Sequence, residues 1–155
     1  WCYDGEIELG YGSALRSAAT IVADDPLFGL IAYGGTLEET DDGFYVIPGD
    51  ELRKRLHVID NAHRVHLELN RDGLCAGVPV HVSADRRRLE FALENRTGDK
   101  HSVILRLAGL PASRYRIALD GVPEANLSVE DDRWHTIEVP IRCDGVSVVI
   151  EPVGA

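Results

Sequence analysis

Long apolar runs, a cysteine framework and an excess of positive charge are what this sequence does not have. No stretch approaches the roughly 18 apolar residues that a spanning helix needs, so no membrane partner is expected. The three cysteines, Cys2, Cys75 and Cys143, are odd in number and widely spaced. That pattern is neither a disulfide framework nor a zinc signature, and separate reduced thiols are expected. Lysine occurs only at Lys54 and Lys100, and the formal charge is −10. A surface of that sign repels a phosphate backbone, which argues against nucleic acid as a partner. Arginine supplies most of the positive charge, a bias that we read as that of a GC-rich bacterial genome. No HExxH, CxxC, GxSxG, P-loop or dinucleotide fingerprint is present, so neither a metal nor a cofactor is expected.

What is present is enough for one core. The chain has 155 residues, of which 45% are hydrophobic, in the range of an ordinary folded domain. Leu15, Ala18, Ala19 and Val22 follow the i, i+3, i+4, i+7 spacing of a helix, with Ser13 as N-cap and Asp25-Pro26 as a stop. A short helix is therefore predicted over residues 13–23. From about Phe28 the period changes to two. "HRVHLELN" sets Val65, Leu67 and Leu69 against Arg64, His66 and Glu68. "VPVHVSA", "RLEFALEN", "YRIALDG" and "GVSVVIEP" alternate in the same way, which is the pattern of strands with one buried face. Asp42-Gly43, Asp72-Gly73, Gly98-Asp99, Asp120-Gly121 and Asp144-Gly145 punctuate them as hairpin turns. The expected fold is mainly β: an antiparallel β-sandwich of about nine to eleven strands, with one short N-terminal helix. We divide it into a segment 1–27 and a sandwich 28–155. Leu67, Val80, Phe91, Leu105, Ile117 and Val148 are the predicted core.

Three places offer chemistry. In "YDGEIELGYG", Glu6 and Glu8 share one parity, which places their Cα atoms about 6 to 7 Å apart on one side of an extended chain. Paired carboxylates of this kind serve glycoside hydrolysis as acid and base or nucleophile, and Tyr3 and Tyr11 beside them are suited to stacking on sugars. A solvated acidic strand end accounts for the same residues. Trp134, in "DDRWHTIEVP", is a candidate sugar platform, and Asp131 and Asp132 have oxygens of the type calcium takes; a tryptophan packed at a strand start is the plainer account. His57, His63 and His66 fall within ten residues, but His63 and His66 have opposite parity and would diverge on a strand. They read as exposed strand histidines, and Arg86-Arg87-Arg88 reads as a solvated connection.

The stretch "WCYDGEIELGYGSALRSAATIVADDPLFGLIAYGG" followed by "VIPGDELRKRLHVI" resembles the end of the catalytic region of bacterial six-hairpin, (α/α)-toroid glycosidase-like proteins. The tail from "YRIALDG" through "HTIEVPI" to "VSVVIEP" is similar to the C-terminal β-sandwich that closes many such enzymes. The resemblance implies the C-terminal part of a larger carbohydrate-active enzyme, with a catalytic helical-toroid domain or subunit and a carbohydrate as partners. It implies Asp4, Glu6 and Glu8 as catalytic or supporting groups, and Tyr3 and Tyr11 as sugar contacts. Two other readings stay open. One is a non-catalytic carbohydrate-binding module with Tyr33, Tyr45 and Trp134 as an aromatic row; the other is a structural or assembly sandwich.

Overall fold

A computed structural model describes residues 19–50, 52–60 and 63–153. These form fourteen strands in two sheets. The strands are β1 (Thr20–Asp25), β2 (Gly29–Tyr33), β3 (Gly35–Thr40), β4 (Gly43–Pro48), β5 (Arg55–Ile59), β6 (Arg64–Leu69), β7 (Gly73–Leu74), β8 (Val80–Ser83), β9 (Leu89–Glu94), β10 (His101–Ala108), β11 (Ser113–Leu119), β12 (Val122–Val129), β13 (His135–Ile141) and β14 (Val146–Pro152). The first sheet runs β13-β10-β6-β5-β1-β2. The second runs β12-β11-β14-β9-β8-β4-β3, with β7 attached to β9. Every pairing is antiparallel except β1 with β5.

Alternation explains why the sheets stack. Leu56, Val58, Val65, Leu67, Leu105 and Leu107 turn inward from the first sheet; Phe44, Val46, Val80, Phe91, Ile117 and Val148 turn inward from the second. All belong to one buried cluster. The six residues predicted as core lie in it. The five Asp-Gly or Gly-Asp pairs fall at turns or strand starts, and Asp120 and Gly121 both have positive φ (50° and 83°), as the tightest hairpin connection requires. Val78, expected on the inner face, is exposed instead. Pro79 cannot donate to a ladder, and β8 begins only at Val80.

The predicted helix is not there among the described residues. Thr20–Asp25 is a strand hydrogen-bonded on both sides, antiparallel to β2 and parallel to β5; residues 13–18 lie outside the described residues. Thr20, Ile21 and Val22 are β-branched in succession, which favours an extended chain. A strand covered on both faces reads as a continuous apolar run, and here Ile21 and Ala23 are buried on the side opposite Val22. Small apolar residues closely spaced in such a run mimic helical spacing.

The chain passes from the first sheet to the second at Gly34. Its φ of 72° and a Cβ position only 2.6 Å from the Ala19 carbonyl oxygen admit no other residue without strain. Gly49 N donates to the Gly34 carbonyl at 2.7 Å. Thr20 Oγ1, buried, lies 3.0 Å from both that oxygen and Asp50 Oδ1.

Candidate functional site

The outer face of the first sheet carries an open groove of about 1010 Å³. Three elements build it. The β5–β6 hairpin supplies His57, Asp60, His63, Arg64 and His66; the end of β10 and the segment after it supply residues 108–112; the β12–β13 connection supplies Glu130, Asp131, Asp132 and Trp134. Gly109 lets the second element lie against the first. Its φ is 82°, and a Cβ there would meet the Arg64 carbonyl oxygen at 1.6 Å. The buried Tyr115 hydroxyl donates to the Pro111 carbonyl and ties down the same wall. Burial pushes that phenol up to about 12.

The histidines converge because of hairpin register. Leu56 faces Leu67 and Val58 faces Val65, both pairs inward, so the intervening pair His57 and His66 faces outward together. Their Nδ1 atoms are 2.8 Å apart, which requires one ring to donate and the other to accept. Burial, with His66 and Arg55 adding to it, pushes His57 down to about 4. Burial and Arg64 lower His66 as well, against the opposing effect of Glu68. The pair is therefore neutral near pH 7.

Trp134 is 39% exposed and rests on two groups of that face. Its ring stacks on His66 (centroids 5.9 Å apart, planes at 29°), and the Arg106 guanidinium sits 4.6 Å from its centroid. His66 thus joins the aromatic ring to the histidine pair. At the other end Asp60 takes Arg86 Nε and Nη2 at 3.2 and 3.0 Å and the His63 backbone N–H at 2.6 Å. Arg86 is only 8% exposed, so the reading of it as solvated charge is corrected: it crosses from the β8–β9 turn to latch the β5–β6 hairpin. Its cation is needed where Asp60 is held away from water. Arg133 pairs with Asp131 at 3.0 Å and holds its carboxyl below the usual range. With Asp60 and Asp131 matched in this way, Glu130 and Asp132 add two further carboxylates to the lining.

Among the described residues, no group of three or more His, Cys, Asp or Glu side chains is placed to hold a metal ion. Cys75 and Cys143 are free thiols. Of the candidate site residues, Trp134 stands at the groove; Tyr3, Asp4, Glu6, Glu8 and Tyr11 lie outside the described residues. The proposed aromatic row does not form. Tyr33 packs against Ala19 and Ile21 at the β2 side of the first sheet, and Tyr45 is on the second sheet. Parity arguments applied to His63 and His66 missed the pair that matters. The signal was a sum: residues facing across the β5–β6 hairpin add to a constant, and 57 pairs with 66 as 59 pairs with 64.

Comparison with family models, curated proteins and solved structures finds no match to this chain. The chemistry of the groove is therefore what speaks for function.

Proposed function

We propose that this chain is a glycan-engaging β-sandwich, the C-terminal portion of a glycoside hydrolase-like carbohydrate-active enzyme, and that the Trp134 groove is where it holds sugar. The observation that carries this reading is the half-exposed Trp134 ring, braced by His66 and Arg106 beside carboxylates and neutral imidazoles. A pyranose has an apolar C–H face and hydroxyl edges. An indole accepts the first, and carboxylates and imidazole nitrogens hydrogen-bond the second. Anionic chains are disfavoured by the groove carboxylates, so the expected ligand is a neutral polysaccharide.

The second part of the proposal is a capping role toward a catalytic helical domain, to which the Tyr3–Tyr11 stretch lends cleft residues, with Asp4, Glu6 and Glu8 as its acids. An apolar tip supports a docking role. Leu27 and Phe28 at the β1–β2 turn are 85% and 78% exposed, and Asp25 Oδ1 accepts from both their backbone N–H groups at 2.7 and 3.1 Å. A turn fastened in this way presents both side chains to solvent, where a partner surface would cover them.

The test has two arms on the isolated chain. Affinity electrophoresis in gels containing glucomannan, xyloglucan, galactomannan or mixed-linkage β-glucan should show retardation by at least one. Reducing-sugar release from the same polysaccharides should stay at background. Retardation by none overturns the sugar-binding reading, and turnover by the chain alone overturns the capping reading.

A further inference from the structure

The outer face of the second sheet has a smaller counterpart of the Trp134 site. Tyr45 projects outward from β4, between the inward Phe44 and Val46, and is 39% exposed. Its cross-strand partner on β8 is His81, and the two rings lie 4.6 Å apart at 41°. On the other side Tyr45 faces Glu38, and Ile47 faces Thr36, both on the edge strand β3. A depression of about 410 Å³ opens there, lined by Thr36, Leu37, Glu38, Tyr45, Ile47 and Pro79.

His81 is 7% exposed, and its Nε2 makes no hydrogen bond among the described residues. Asp42 Oδ1 is 3.8 Å away, beyond hydrogen-bond distance. Burying an imidazole nitrogen without a partner is costly, and packing alone would favour an apolar residue here. The imidazole lies beside the Tyr45 ring and contacts it at a tilt of 41°, as the cross-strand counterpart of the His66–Trp134 stack.

We infer that the Tyr45 depression is a second glycan-binding platform, which makes the sandwich bivalent for neutral polysaccharide. The inference rests on the sugar-binding reading of the Trp134 groove. Tyr45 offers a face for stacking, Ile47 and Pro79 apolar flanks, and Glu38 and Thr36 an acceptor and a hydroxyl for sugar hydroxyls. That is the same division of labour as at Trp134, on a smaller ring and in a smaller depression, so the affinity is lower. The two platforms point away from each other across sheets packed about 10 Å apart. One short oligosaccharide cannot reach both, so each molecule engages two glycan chains or two distant parts of one, with the avidity that such linkage brings.

The experiment is a ¹H–¹⁵N titration of the full chain with cellohexaose, xylohexaose, mannohexaose and laminarihexaose in turn. At least one should perturb two separate groups of amides, one around His66 and Trp134 and the other around Thr36, Glu38 and Tyr45. Trp134→Ala should abolish the first group and spare the second; Tyr45→Ala should do the reverse. Both side chains face outward, and the unperturbed remainder of each spectrum reports that the variant is folded. Perturbation confined to the Trp134 face overturns bivalency and leaves the first reading standing. Perturbation on neither face overturns both.

Discussion

The two outer faces of this sandwich share one core and differ in how they hold their aromatic ring. On the first sheet, Trp134 comes from a connection and is laid over His66, itself hydrogen-bonded to His57, with Arg106 beside it. On the second, Tyr45 comes from within a strand and leans on His81, its cross-strand neighbour. A loop-borne ring needs outside bracing, and the first face supplies it in ionisable groups. A strand-borne ring is positioned by the ladder and needs little else. The first face has the larger groove, lined by histidines and carboxylates, whereas the second has a smaller depression tied to the strands of its sheet.

Substitutions separate the shared from the private. The largest effect falls on both faces at once. Phe91→Ala empties a site in the common core, and a denaturation midpoint should report a loss of about 2–5 kcal/mol. An unmoved midpoint would mean that Phe91 does not join the two sheets. Next, Asp60→Asn leaves the Arg86 guanidinium buried and unmatched. Breaking a buried pair costs about 3–5 kcal/mol, and the side chains here are about nine-tenths buried, so a loss of about 3 kcal/mol is expected. His63 amide shifts should move with it while those of Tyr45 stay in place; movement of both faces alike would remove the distinction. An effect of comparable size, spread over about two and a half pH units, follows from pH. His57 is held near 4 in the folded chain, against about 6.5 unfolded. Between these values the unfolded chain binds the extra proton, so stability falls as pH drops from about 6.5 to about 4, by at most about 1.4 kcal/mol per pH unit. His57→Gln should flatten that part of the profile, and an unchanged slope would show that His57 is not the group responsible. The smallest effect is chemical. In the folded chain Cys143, exposed on the β13–β14 turn, should react with a thiol reagent before the partly covered Cys75; equal rates would show that Cys75 is as accessible.

Much of the second sheet was legible in the sequence. Strands such as Leu89–Glu94 and Val146–Pro152 have one covered face, so their alternation is plain and the Asp-Gly turns bound them. β1 was not legible, because burial on both faces erases alternation and its short apolar residues mimic a helical stripe. Trp134 was legible as a platform candidate, since an aromatic beside acidic residues stands out. The histidine pair and the Arg86–Asp60 latch were not. Both depend on which residues meet across strands and sheets, 9 and 26 positions apart in the chain; the first follows only once the β5–β6 register is known, and nothing around Asp60 or Arg86 in the sequence points to the second.

The most direct test of the account is affinity electrophoresis of the wild type beside Trp134→Ala, in gels containing the neutral polysaccharide that binds best. The account predicts that the wild type is clearly retarded and that the variant, folded by circular dichroism, loses most of that retardation and keeps only the weaker part due to Tyr45. Equal retardation of the two proteins would contradict it.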